Sequence, residues 1–129
     1  MRLQGIVVSG IGQGAQFLAL EWVARELERH LALTPFPGTL NLRVAPQTRD
    51  ALFAERRGFL TIANPASPDC PGYLQRVSLA ANGRRCDAWL ILPEKTLHAD
   101  VLEIISASSL RDTLGLRDGD TVDVEIVMG

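Results

Sequence analysis

Apolar and polar positions along this chain alternate in blocks short enough for strands, broken by two stretches at helical spacing. From Leu3 to Ser9 the β-branched run Ile6-Val7-Val8 predicts a buried strand that ends at Gly10. Between about Leu18 and Leu31, apolar residues Leu20, Val23, Leu27 and Leu31 recur at steps of three and four. A helix is expected there, with Glu21, Arg25, Glu28 and Arg29 turned mostly to water. Thr34-Pro-Phe-Pro-Gly38 cannot continue a helix, and it directs the chain into a second strand, Thr39 to Val44.

Asn82-Gly83 favours positive φ at both central positions of a tight turn, so Tyr73 to Ala81 and Arg84 to Leu92 are expected to form a β-hairpin. A strand at Val101 to Ile105 leads into a short helix over Ser108 to Leu114, with serines able to cap its start and Gly115 to close its end. Asp118-Gly-Asp120 then turns into a last strand, Thr121 to Val127. Ala63 to Gly72 is rich in proline and small residues and has no apolar period, which predicts an exposed loop. About six strands and two helices, without regular strand-helix alternation, predict a mainly β, mixed α/β chain folded as a small barrel.

Size and composition fit one domain over residues 1–129: 47% of residues are hydrophobic and 22% charged, ordinary values for a globular chain. The apolar run in Gly5 to Val8 is too short for a signal peptide, and no run approaches the roughly 18 apolar residues of a membrane span. A soluble, cytoplasmic protein without membrane partners is expected. A formal charge of -2 argues against coating a nucleic-acid backbone, and Phe17, Trp22, Phe36, Phe59 and Trp89 are too dispersed for a base-stacking platform. Lys95 is the only lysine, which confines lysine chemistry to one position. Cys70 and Cys86 have no second pair and read as free thiols.

Several segments offer chemistry. Gly10, Ile11, Gly12, Gln13, Gly14 and Ala15 lie between a strand and a helix, where backbone N–H groups can cradle a phosphate. The loop lacks the Gly-Lys-Ser/Thr ending of a P-loop, and Ala15 replaces the third glycine of a dinucleotide fingerprint, so a plain turn is an equal reading. Thr39 and Asn41 are two apart in a strand and leave the same face, each with a neutral oxygen. They can share one Mg²⁺ or bond the backbone beside the Pro-Gly turn. Thr96, His98, Asp100 and Glu103 form a polar cluster at a strand start. Glu103, between Leu102 and Ile104, suits a substrate hydroxyl or else points to solvent. Arg111, in the first turn of the short helix, adds charge to an anion site or is a solvated surface group.

Taken in order, these pieces resemble the archaeal CTP-dependent riboflavin kinases. The matching segments are Gly5-Ile-Val-Val-Ser-Gly-Ile-Gly-Gln-Gly14, Pro37-Gly-Thr-Leu-Asn-Leu42, Glu94-Lys-Thr96, Glu103-Ile-Ile105, Leu110-Arg111 and Leu116-Arg-Asp-Gly-Asp120. They span nearly the whole chain, with Gly58 to Gly72 contributing least. The resemblance implies a six-stranded cradle-loop barrel that transfers the γ-phosphoryl group of CTP to the 5′-hydroxyl of riboflavin, giving FMN. It implies that Gly10 to Ala15 and Ser108, Ser109, Leu110 and Arg111 hold the nucleotide, that Thr39 and Asn41 ligate Mg²⁺, and that Thr96 and Glu103 contact the flavin. Glu103 is the candidate to accept or orient the acceptor hydroxyl. Two other classes remain open at this stage: a barrel that binds nucleotide or flavin without transfer, and a swapped-hairpin transcription regulator. The oligomeric state is left open by the sequence.

Overall fold

A computed structural model describes residues 1–9, 18–94 and 100–127. Along the chain run β1 (Arg2–Val8), α1 (Glu21–Leu31), β2 (Leu40–Arg43), α2 (Pro46–Ala54), a 3-10 turn (Arg56–Gly58), β3 (Leu60–Asn64), β4 (Ser67–Ala81), β5 (Arg84–Pro93), β6 (Val101–Ile105), α3 (Leu110–Leu114) and β7 (Thr121–Ile126). All strand pairings among the described residues are antiparallel. The order β4-β5-β6-β2-β1-β7 closes on itself through β4–β7, which gives the expected six-stranded barrel, and β3 adds a seventh strand. The 15-residue β4 makes this possible: beside β3 it uses Ser67 and Gly72 to Leu74, and beside β7 it uses Val77 to Ala80.

Strand alternation produces two apolar layers. Inside the ring lie Val7, Leu40, Leu42, Leu79, Leu90, Leu92, Leu102, Ile104, Val122 and Val124. On the outer face, α1 covers Ile62, Leu74, Ile91 and Ile105 with Val23 and Leu27, joined by Trp22 and Leu31. Leu20, expected on that face, is 45% exposed because it precedes the first helical turn. Closure needs β1 to approach β2 closely: a Cβ on Gly5 would stand 2.7 Å from the Leu42 Cβ.

The hairpin forms as the dipeptide predicts, with Asn82 at φ 53 and Gly83 at φ 71. Asn82 Nδ2 further donates to the Leu114 and Gly115 carbonyls at 2.9 Å, tying the turn to the end of α3. Ser109 caps α3, its Oγ accepting from the Asp112 N–H at 3.3 Å. Cys70 and Cys86 are free thiols, and burial pushes the Cys86 thiol above its ordinary pKa. No helix of the described residues is long and apolar enough to cross a membrane.

Two expectations are corrected. The expected loop at 63–72 is mostly strand: β3 runs to Asn64, and Ser67 to Gly72 form the first part of β4. Its prolines are tolerated because pairing with β3 shifts register between Ile62 and Asn64, so missing donors interrupt an already irregular ladder. The two expected helices are joined by a third, α2. Pro46 starts α2 with its fixed φ, and the buried positions are Arg49 and Leu52, a face whose charged member hides the apolar period.

Candidate active site

The Pro37-Gly-Thr39 turn and the start of α3 face each other across a cleft of about 220 Å³. One wall is Pro37 to Leu40; the other is Ile104, Ser106 and Ser108 to Arg111. Phe36 N–H donates to the Ser106 carbonyl at 2.7 Å and pins the walls together. Thr39 thus lies on the same cleft as all four residues of the 108–111 segment.

Thr39 Oγ1 donates to Asn41 Oδ1 at 3.1 Å, so the two side chains do share a face. Two oxygens bound at right angles to an octahedral Mg²⁺ at about 2.1 Å each would be about 3 Å apart, so this spacing fits a shared hard cation. Both donors are neutral, and among the described residues no group of three or more His, Cys, Asp or Glu gathers into a metal-binding cluster.

Asn41 stands directly opposite Glu103 in the β2–β6 ladder. Their neighbours Leu40, Leu42, Leu102 and Ile104 point into the barrel, so Asn41 and Glu103 point out. The register carries this outer row across six strands, from Val8 through Asn41, Glu103, Ile91 and Leu74 to Leu60. Glu103 is only 7% exposed and is partnered, so it is not an edge-strand charge in solvent. Asp100 of the expected polar cluster instead pairs with Arg43 at 3.6 Å. Thr96 and His98 lie outside the described residues, as do Gly10, Ile11, Gly12, Gln13, Gly14 and Ala15.

Arg111 reaches from α3 to the end of β1, where the glycine loop begins. Its Nη2 donates to Ser9 Oγ and to Asp118 Oδ1, each at 2.7 Å. Ser9 Oγ in turn donates to the same Asp118 oxygen at 2.7 Å. These bonds, led by that of Ser9, hold the Asp118 carboxyl below the usual carboxylate range.

Arg49 was not legible as a site residue. Asn41, Arg49 and Glu103 are the buried polar residues among those described, and α2 packs on β6. Burial pushes the Arg49 guanidinium below its ordinary pKa, while the charges of Asp50 and Glu103 push it back up. Beside it, the Arg56 guanidinium stands 4.3 Å from the Phe53 ring centre, and Tyr73 packs edge-on against that ring at 5.9 Å. Tyr73 donates to Glu94 Oε2 at 2.6 Å, a bond that raises the phenol pKa. Glu94 is two residues before Thr96 in sequence. Arg49, Phe53 and Arg56, at steps of four and three, were its sequence signal.

Residues 7–126 match the family model described as "CTP-dep_RFKase: Domain of unknown function DUF120". A riboflavin kinase of Pyrobaculum arsenaticum is 38% identical over 99% of this chain, which spans 61% of that protein. The riboflavin kinase of Archaeoglobus fulgidus is 33% identical over 99% of this chain and 55% of its own length. For the riboflavin kinase of Methanopyrus kandleri the identity is 34%, covering 95% of this chain and 80% of the relative. The chain therefore belongs to the CTP-dep_RFKase family.

Proposed function

We propose that this chain phosphorylates riboflavin to FMN with CTP and Mg²⁺. The observation that carries the reading is the cleft lined by Thr39 and by Ser108 to Arg111, together with the Thr39–Asn41 hydrogen bond and the Asn41–Glu103 pair on the outer face. Phosphoryl transfer asks a protein chiefly to align donor and acceptor and to offset charge on the transferring group. Ser108 to Arg111 and the glycine loop, residues 10–15, would hold the triphosphate, with Arg111 supplying positive charge. Thr39 and Asn41 would hold Mg²⁺, which when bound offsets phosphate charge. Thr96 and Glu103 would contact the flavin.

In this reading, Glu103 accepts a hydrogen bond from the acceptor hydroxyl and orients its oxygen toward the γ-phosphorus. The new P–O bond forms as the bond to the bridging β-phosphate oxygen breaks, CDP leaves with that electron pair, and the hydroxyl proton passes to Glu103 or to water. A loose transition state places little demand on a base, so Glu103 acts first in binding. Neutral Thr39 and Asn41 should hold the ion well only together with phosphate oxygens.

FMN formation from riboflavin and Mg²⁺, compared with CTP and with ATP, tests the proposal. Wild-type protein should make FMN with CTP, and Asn41→Ala should lose about a hundredfold or more of the rate. A folded wild-type protein that makes no FMN with either nucleotide would overturn the kinase reading in favour of binding without transfer.

A further inference from the structure

The end of β1, about a hundred positions away in sequence, meets α3 and the turn before β7 at Arg111. We propose that Asp118 and Ser9 are positioning residues that anchor Arg111 by one nitrogen and leave the rest of its guanidinium to face a nucleotide phosphate in the cleft. This rests on the nucleotide site proposed above.

The anchoring is one-sided. Nη2 carries the 2.7 Å bonds to Ser9 and Asp118 and a longer contact of 3.5 Å to the Val8 carbonyl. Among the described residues, Nη1 and Nε bond none of these three partners, and Arg111 also lines the cleft beside Thr39 and Ser108. A guanidinium held at one corner still offers donors in a fixed plane, which suits the oxygens of a phosphate.

The anchor is itself fixed by backbone. Val7 N–H donates to the Asp120 carbonyl at 2.9 Å, and Gly119 N–H donates to the Val7 carbonyl at 2.8 Å. The turn bearing Asp118 is thereby clamped to the strand bearing Ser9. Arg117 N–H donates to Asp120 Oδ2 at 2.9 Å and holds the turn closed. At the other end, the Leu116 N–H bonds the Arg111 carbonyl at 2.8 Å and fixes the base of the side chain. The ion pair is well exposed, with side-chain accessibilities of 38% for Arg111 and 59% for Asp118. A pair this exposed adds little to stability, so a purely stabilising role accounts poorly for two short bonds converging on one nitrogen. Ser9 also immediately precedes Gly10, so the anchored guanidinium sits where the glycine loop leaves β1.

The test is steady-state FMN formation by wild type, Asp118→Ala, Asp118→Asn, Ser9→Ala, Arg111→Ala and the Asp118→Ala/Arg111→Ala double variant, with calorimetric CDP affinity and Tm for each. Asp118→Ala is expected to raise the CTP KM and weaken CDP binding about tenfold. The riboflavin KM should stay within about twofold and Tm within about 2 °C. Asp118→Asn, which keeps an acceptor oxygen, should recover part of the loss. Because Asp118 acts through Arg111, the double variant should be no worse than Arg111→Ala alone. Unchanged or tighter CDP binding in Asp118→Ala, equal effects on both substrates, or additivity with Arg111→Ala would each overturn the inference. Wild-type protein that binds CDP but makes no FMN would sink the kinase reading, while the CDP comparison would still decide the anchor. Absence of CDP binding by wild type would sink both.

Discussion

The two sides of the barrel wall are built from the same strands and do different work. Facing inward, β2 and β6 present Leu40, Leu42, Leu102 and Ile104, all packed in the interior core. Facing outward between them, the same strands present Asn41 and Glu103, both buried and directly opposite each other. A one-residue step along β6 therefore moves from a group packed in the barrel interior to one that, in the proposed reading, would contact the flavin. Burial alone does not separate the two, since Leu102 and Glu103 are both nearly inaccessible. The face does.

The sharpest way to break this comparison is to change those neighbours separately. Leu102→Ala should destabilise the protein by about 2–5 kcal/mol in urea unfolding, because it leaves a cavity in a closed core. Glu103→Gln keeps size and one acceptor oxygen but removes the charge that faces Arg49, so it should cost less stability than Leu102→Ala, about 1–2 kcal/mol, while raising the riboflavin KM or cutting turnover. If Glu103→Gln left both flavin affinity and turnover untouched, the outer row would have no role in the reaction.

A smaller effect is expected from Gly5→Ala. Its Cβ would meet the Leu42 Cβ at 2.7 Å and force β1 away from β2, at a cost of about 1–3 kcal/mol. Because the strain lies inside the ring, unfolding midpoints should fall with little change in KM for either substrate.

The smallest effect concerns acid. Asp118 has a folded pKa below its ordinary 3.8, so its contribution is present above that value and is lost as pH falls through the lowered one. Asp118→Asn should remove this part of the acid slope below about pH 4 and leave the pH 5–8 stability profile parallel to wild type. A wild-type slope that persists unchanged in the variant would show that other carboxylates carry it.

Legibility in the sequence followed the range of the interaction. Asn82-Gly83, the shared face of Thr39 and Asn41, and the Ser109 cap depend on residues two or three apart, and each formed as the local pattern predicted. Ring closure through β4–β7 and the meeting of Ser9 with Arg111 and Asp118 depend on partners about fifty to a hundred positions apart, beyond any periodicity. α2 was hidden for another reason: the helical face carries Arg49 where an apolar residue would have marked it. Pro68 and Pro71 concealed the start of β4 because proline in a strand is tolerated only where the ladder is already irregular.

The seam between β4 and β7 also orders events during synthesis. β7 leaves the ribosome after every other described strand, yet it pairs with Arg2 to Ile6 of β1 and with Val77 to Ala80 of β4. Until residues 121–126 emerge, both of those edges lack their partner, and the ring cannot close over its interior leucines. Pairing across so long a loop is slow. During that interval the chain is most in need of a chaperone and most open to joining a second copy of itself edge to edge.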